Sequence, residues 1–359
     1  MKSCSKNFSC FILFFAFALS VLSIPLVAQQ ERWDGLNQQL AELYRNGRYE
    51  EGIPVAQQAL RVAESTFGPT HFSVATSLNN LAEMYRLLGR FDEARPLYER
   101  ALRMAETEVG PDNPLVASAL NNLGELYRMQ SSYAQAEPLY RRAISIREKF
   151  LGPDHPDLAQ SLNNLALLYA AFKKPVEAEP LYQRAMGIYR KAYGEDSAPL
   201  SATMSNLAEL YRSQEKYDLA EPLYKRALEV SERALGPSHA AVIMNLNNLA
   251  LLYEAQNKPD EAESHLKRAL SLQEKAYGAD SPRMMTTLGN LATLYQSRDR
   301  FSEAEPLLNR LLSLAEKAYG KNDPQLSGPL QALADVYAKL GREKDATRVR
   351  DRARKLQSR

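Results

Sequence analysis

The sequence predicts an all-α solenoid, a stack of eight helical hairpins, and three observations carry that reading. One pattern recurs at steps of 42 residues without a slip. Leu81, Leu123, Leu165, Leu207, Leu249, Leu291 and Leu333 hold one register; Tyr85, Tyr127, Tyr169, Tyr211, Tyr253, Tyr295 and Tyr337 hold another; Ala94, Ala136, Ala178, Ala220, Ala262, Ala304 and Ala346 make a third. Within a unit the apolar spacing is helical, since Leu78, Leu81, Ala82 and Tyr85 follow the i, i+3, i+4, i+7 rule of a one-faced helix. Between units stand pairs such as Gly110-Pro111, where glycine supplies a left-handed helix end and proline forbids continuation. Such a period means stacked supersecondary units, each burying its apolar face on the next.

The chain opens on a segment unlike the rest. Met1–Asn7 carries Lys2 and Lys6, Phe8–Ala28 is a 21-residue run without charge, and Gln29 begins polar sequence. A basic start, an apolar stretch and a small residue at its end make an export signal over residues 1–28, with Pro25 breaking the helix just before a cut after Ala28. Left uncut, a run of this length can anchor in a bilayer, so membrane attachment is expected only if the segment is retained. Both cysteines, Cys4 and Cys10, lie inside it, which leaves the rest of the chain without disulfide or thiolate chemistry. No Asn-x-Ser/Thr acceptor follows residue 30. The expected location is therefore exported, periplasmic or secreted, in a bacterial envelope.

The repeat region, 33–359, divides into units at about 33–67, 75–109, 117–151, 159–193, 201–235, 243–277, 285–319 and 327–356. In the second unit a helix carrying Leu78, Leu81, Ala82 and Tyr85 breaks at Leu88-Gly89-Arg90. A second helix follows with Ala94, Leu97, Tyr98, Ala101 and Leu102. Ala82, Ala94 and Ala101 sit where the helices approach closely, and Tyr85 and Tyr98 fill the space beside them. Asn113 caps the next helix with Pro114 at its first position, and His155-Pro156, Ser281-Pro282 and Asp323-Pro324 repeat that start signal. The proline at Pro96, Pro138, Pro180, Pro222 and Pro306 falls early in the second helix, at little cost in the first turn and with a bend if deeper. The first unit is degenerate, with Gly52 and Ala56 where later units have alanine and tyrosine. The last drops the Asn pair and ends, over Arg342–Arg359, with eight basic against three acidic residues. Atypical polar ends close a stack.

The string Leu81-Ala82-x-x-Tyr85-x-x-x-Gly89-x-Phe91-x-x-Ala94-x-x-x-Tyr98-x-x-Ala101 resembles the tetratricopeptide signature. The 42-residue step, the LNNLA-LY string and EAEPLY-RAL are similar to the kinesin light-chain subtype. The likeness runs from Trp33 to the C-terminus. It implies a right-handed superhelix whose first helices line a concave groove that binds protein or peptide partners. No heptad coiled coil precedes the repeats, so a motor-subunit role is not implied.

On the first helix, 78/81/82/85 point to the core while Thr76, Asn80, Glu83 and Leu87 point roughly the opposite way. Asn80, Asn122, Asn164, Asn206, Asn248 and Asn290 then form a row facing the groove. Each amide offers a donor and an acceptor, matching the N–H and C=O of an extended peptide, and the resemblance implies that use. Asn79 and its equivalents point toward the neighbouring repeat and tie helices together, and some of the second asparagines can do the same. Leu87, Met129, Leu167 and Leu251 offer apolar contact, and Glu83, Glu125 and Glu209 offer charge. Each of these glutamates has an arginine three residues on, Arg86, Arg128 and Arg212, placed either to pair along the helix or to meet a partner's carboxylates. The tyrosine columns read as packing.

Lys and Arg number 45 against 43 Asp and Glu, for a net charge of +2, which is not the basic footprint of a nucleic-acid binder. There is no Ser-His-Asp ordering, H-E-x-x-H string, P-loop or dinucleotide fingerprint. His71, His155 and His239 stand in alternate inter-repeat loops, too far apart to share a metal. The expectation is a non-catalytic scaffold for extended peptides or protein segments, without metal or small-molecule cofactor. The alternatives are an exported hydrolase built on the solenoid, or a subunit that fills its groove with another copy of itself.

Overall fold

The computed structural model describes the backbone of residues 8–357, with side chains from residue 27 onward. The candidate leader, 1–28, lies outside the residues described with their side chains, apart from its last two. Among those so described, no helix is long and apolar enough to cross a membrane. No strand occurs among the described residues.

Among the described residues, sixteen α-helices alternate as first and second members of the repeat. The first members are α1 (Phe8–Arg45), α3 (Phe72–Leu87), α5 (Pro114–Met129), α7 (Pro156–Ala171), α9 (Ala198–Ser213), α11 (Ala240–Ala255), α13 (Met285–Gln296) and α15 (Ser327–Lys339). The second members are α2 (Tyr49–Phe67), α4 (Phe91–Val109), α6 (Tyr133–Leu151), α8 (Pro175–Tyr193), α10 (Tyr217–Leu235), α12 (Pro259–Tyr277), α14 (Phe301–Tyr319) and α16 (Glu343–Gln357). The chain forms two compact units, residues 1–174 with α1–α7 and 175–359 with α8–α16. The helix of α1 runs through position 25, so the break expected at Pro25 is absent.

The start signals act as the sequence implies. Asn113 Oδ1 accepts from Leu115 N at 2.9 Å, and Asp323 Oδ1 from Gln325 N at 2.8 Å. Each relieves one of the unpaired N–H groups at a helix start. Histidine does the same work: His71, His155 and His239 each accept through Nδ1 at 3.2 Å from the amide two residues on. Their place in the loops is thus explained by capping. The proline of the second helix stands in its second turn, as Pro96 does in a helix that begins at Phe91. All six such prolines, Pro54 of α2 included, are solvent-exposed, as is the residue four before each, and their helices continue past them, so the carbonyl each leaves without a donor faces water.

The core is built from the predicted columns. Ala82, Ala94, Tyr98 and Ala101 have no accessible surface, nor have Tyr140 and Tyr224 in their own repeats. Alanine lets the paired helices approach, and the tyrosine ring fills the hollow. The degenerate first unit follows the same volume rule in reverse. A Cβ on Gly52 would stand 2.7 Å from Met84 Sδ, and Ala56 leaves room for that long side chain, which packs with Leu40, Ile53 and Leu81.

The turn between first and second helices requires a left-handed residue in every repeat. Gly47, Gly89 and Gly341 supply it without strain, at φ of 71–73°. Ser131, Lys173, Glu215, Asn257 and Asp299 occupy the same position at φ of 56–59°. For an L side chain other than Asn or Asp that conformation costs about 1–2 kcal/mol.

Candidate partner-binding face

Both asparagines of each pair sit on the first helices, but their amides serve different ends. Asn121 is buried and donates to Ser161 Oγ at 2.8 Å, one repeat on. Asn247, likewise buried, donates to Thr287 Oγ1 at 3.0 Å. These first-position residues tie successive repeats together, as a buried amide must find a partner.

The second-position residues are less enclosed. Asn80 Nδ2 donates to Asn37 Oδ1 at 2.9 Å, and Asn290 Nδ2 to Asn247 Oδ1 at 2.9 Å. Asn122 is exposed, and its contact with Asn79 Oδ1 is stretched to 3.5 Å. Asn164 and Asn248 are partly buried and their side-chain amides make no hydrogen bond among the described residues; Asn206 is partly buried as well. In the first unit Asn80, Asn122 and Asn164 therefore carry the amide row, and in the second Asn206, Asn248 and Asn290 do. Where the donor of such an amide is held by the previous repeat, its carbonyl oxygen keeps lone pairs for a ligand.

The acidic column is more tightly engaged. Arg86 pairs with Glu83 through two hydrogen bonds, at 2.8 and 2.5 Å. The buried Tyr98 donates its hydroxyl to Glu83 at 2.7 Å. Arg128, Glu125 and Tyr140 repeat the triad, and so do Arg212, Glu209 and Tyr224. Burial pushes the Glu83 carboxyl up, but the hydrogen bonds from Arg86 and Tyr98 and the Arg86 charge outweigh it and hold the group below the usual carboxylate range. Glu209 is lowered by the same balance against its burial. Conversely, burial and the adjacent carboxylate push the Tyr98 hydroxyl far up, so it stays a donor.

Arg86 also reaches the next repeat, with Nη1 at 2.9 Å from Met129 Sδ and 4.0 Å from Glu125 Oε1. Glu83, Arg86, Glu125, Arg128 and Met129 thus form one contiguous strip. Leu87 packs partly against the cluster containing Leu81 and Met84, while Met129 is exposed. Leu167 is half-buried and Leu251 exposed.

A further set of contacts was not foreseen from the tyrosine columns. Tyr169, Tyr211, Tyr253 and Tyr295 each donate to a glutamate 32 residues earlier, Glu137, Glu179, Glu221 and Glu263, at 2.9, 2.8, 3.3 and 3.0 Å. These rings pack and also stitch neighbouring repeats. On the second helices Arg100–Glu64, Arg142–Glu106, Arg268–Glu232, Arg310–Glu274 and Arg352–Glu316 form a ladder of inter-repeat ion pairs, all within 2.7 Å. Among the described residues no group of three His, Cys, Asp or Glu side chains is placed to hold a metal ion.

The tetratricopeptide repeat family model matches residues 35–107, 73–149, 115–191, 199–275, 259–317 and 283–358. BtubC (BKLC) from P. vanneervenii is similar in structure, with 25% identity and a TM-score of 0.52 over 68% of this chain and 92% of that one. The nearly identical, kinesin light chain-type TPR-like repeats of a Podosopora anserina protein match at 23% identity and a TM-score of 0.50, over 57% and 98%. The apo quorum sensor NprR from B. thuringiensis covers 94% of this chain and 99% of its own at a TM-score of 0.64 and 14% identity. No curated protein matches the chain.

Proposed function

We propose that this chain, which belongs to the tetratricopeptide repeat family and is of its kinesin light-chain-like type, is a non-catalytic scaffold that binds protein partners through extended segments laid along its first helices. The observation that carries this reading is the amide row. Asn122 stands exposed with its one contact stretched to 3.5 Å, and Asn164 and Asn248 carry amides that bond to no described residue. A row of amides matches a peptide backbone whatever its side chains, each bond contributing about 1 kcal/mol.

The strip from Glu83 to Met129 flanks that row in the first unit. Its carboxylates are already met by arginine and tyrosine, so it offers a partner a rigid, charge-balanced wall. Arg86, Arg128 and Arg212 keep donor capacity for partner carboxylates, and Glu83, Glu125 and Glu209 orient them. Leu87 and Met129 add apolar contact. Export by the leader places this binding outside the cytoplasm, in the periplasm or beyond, with membrane attachment only if the leader is retained. No nucleic acid, metal or small-molecule cofactor has a part in this reading.

Selection of a phage-displayed library of random peptides on the full-length protein tests it. Binders are expected to lose affinity to the Asn122→Ala, Asn164→Ala variant. Undiminished binding by that variant, folded, counts against the amide row.

A further inference from the structure

Three positions face the space between consecutive repeats: one on a first helix, one thirty residues on in the second helix, and one on the next first helix. In the first unit the first set is Trp33, Ala63 and Ser77. The Trp33 indole fills the junction, packing on Ala63 and donating Nε1–H to Ser77 Oγ at 2.8 Å. The third set is Ala117, Arg147 and Ser161. There the buried Arg147 guanidinium fills the gap, donating to Ser161 Oγ at 2.8 Å, to Asp157 O at 2.6 Å and to Ser118 Oγ at 3.2 Å.

The second unit obeys the same rule. At Ser201, Ser231 and Asn245, the Asn245 amide bridges to Ser231 Oγ at 3.0 Å. At Ile243, Gln273 and Thr287 all three side chains are buried, and Gln273 donates to Arg283 O at 2.7 Å. At Met285, Ala315 and Pro329, the methionine packs against the cluster around Ala315. Each of these junctions carries at least one side chain larger than alanine or serine.

The second junction of the first unit breaks the rule, because Ala75, Ala105 and Ala119 supply only methyl groups. A cavity of about 250 Å³ stands there, open to solvent and lined mostly by apolar atoms. Phe72, Val109 and Leu115 line it while remaining 60%, 40% and 57% exposed. Three large exposed apolar side chains around one opening mark a binding surface. The wall nearest the candidate face is Asn79 and Asn80, and the one charged residue lining the cavity is Glu108. Glu108 makes no ion pair among the described residues.

We propose that this junction is a specificity pocket that takes one large apolar side chain, up to the size of an indole, from an extended partner segment carrying a lysine or arginine beside it. The inference rests on the amide-row reading, to which it adds an enclosed position that selects a side chain by size. Size follows from Trp33, whose indole fills the equivalent space of the preceding junction. Charge follows from Glu108 at the mouth, and Asn80 stands where the same segment's backbone passes.

The probe is the phage-displayed random-peptide library, selected on the full-length protein. Selected peptides are expected to share a large apolar residue next to Lys or Arg. Ala105→Arg with Ala119→Ser copies the plug that Arg147 and Ser161 form one repeat on, and it is expected to weaken those peptides about 10-fold or more. Phe72→Ser, on the exposed mouth where folding is not at stake, is expected to weaken them in the same direction. Replacing the peptide's basic residue by glutamate is expected to weaken binding further at wild type than at Glu108→Gln. Peptides bound equally by the plugged and wild-type proteins, yet lost on Asn122→Ala, Asn164→Ala, overturn the pocket and leave the amide row standing. A selection that yields no binder, or binders indifferent to both sets of changes, overturns both. Self-association of the wild type that the plug abolishes gives the cavity to a second copy and overturns the peptide occupant.

Discussion

Tyr98 donates its hydroxyl to Glu83 across 2.7 Å, although the ring has no accessible surface and the two residues lie fifteen apart on different helices. The ring fills the hollow left by alanine, and its buried hydroxyl then needs an acceptor. Glutamate on the facing first helix supplies one, and Arg86 balances the charge. In two repeats both are missing: Leu266 and Leu308 stand in the tyrosine column, and Leu251 and Thr293 in the glutamate column, whereas the column pairs Tyr182 with Leu167 and Arg350 with Asp335.

Tyr98→Phe keeps the packing and removes the bond, so it isolates the hydroxyl. Its expected cost is about 1.5 to 3 kcal/mol, the range for a bond to a charged group, read from the midpoint of urea unfolding. Leu266→Tyr in the second unit, which introduces a buried hydroxyl facing Leu251, is expected to destabilise as well, and Leu266→Tyr with Leu251→Glu and Glu254→Arg, which rebuilds the triad, to recover part of the loss. An unchanged midpoint for Tyr98→Phe contradicts the triad's structural role.

Acid weakens the stitching between repeats in a defined window. Glu263 is held at about 2 by its hydrogen bonds from Arg300, Lys267 and Tyr295, against desolvation; Glu221 is held at about 2 chiefly by Lys225. A carboxyl lowered in the folded state contributes stability above its unfolded value, and that contribution disappears as pH falls through the folded value. Stability is therefore expected to drop between about pH 4.5 and 2. Glu263→Gln is expected to lower the thermal midpoint at neutral pH, by less than about 1 kcal/mol equivalent given solvent screening, and to flatten its acid dependence. An acid profile identical to wild type removes Glu263 from the account.

Glu215 holds the left-handed turn position at φ 59° without being glycine. Glu215→Gly relieves that conformation and is expected to raise stability by about 0.5 to 1 kcal/mol, the relief being partly offset by the freer unfolded chain. Asn257→Gly is expected to gain less, because asparagine tolerates the same φ. Chemical denaturation of the two variants side by side checks the order.

The fold was legible because stacking imposes a fixed step on every column. Leu81, Tyr85 and Ala94 each repeat without a slip, and Asn113-Pro114 states where a helix starts. The ties of Asn121 and Asn247 to the next repeat follow from the face on which they lie. Other features depend on distances between helices, which spacing along one helix does not report. The bond from Tyr169 to Glu137 crosses a repeat boundary, and the capping by His239 is invisible while histidine is read only as a ligand or base. The cavity at Ala75, Ala105 and Ala119 appears only when three columns are read together, since each alanine alone is unremarkable. The joint losses at 251/266 and 293/308 hint at the tyrosine–glutamate bond, but Leu167 with Tyr182 breaks the pairing, so the columns alone do not report it.

Whether the amide row holds a partner's backbone is decided by one titration. Fluorescence anisotropy of a labelled library-selected peptide compares wild type with Asn122→Ala, Asn164→Ala, after circular dichroism shows both folded. Loss of two backbone bonds of about 1 kcal/mol each predicts a roughly 30-fold weaker Kd. An equal Kd for the two proteins contradicts the claim.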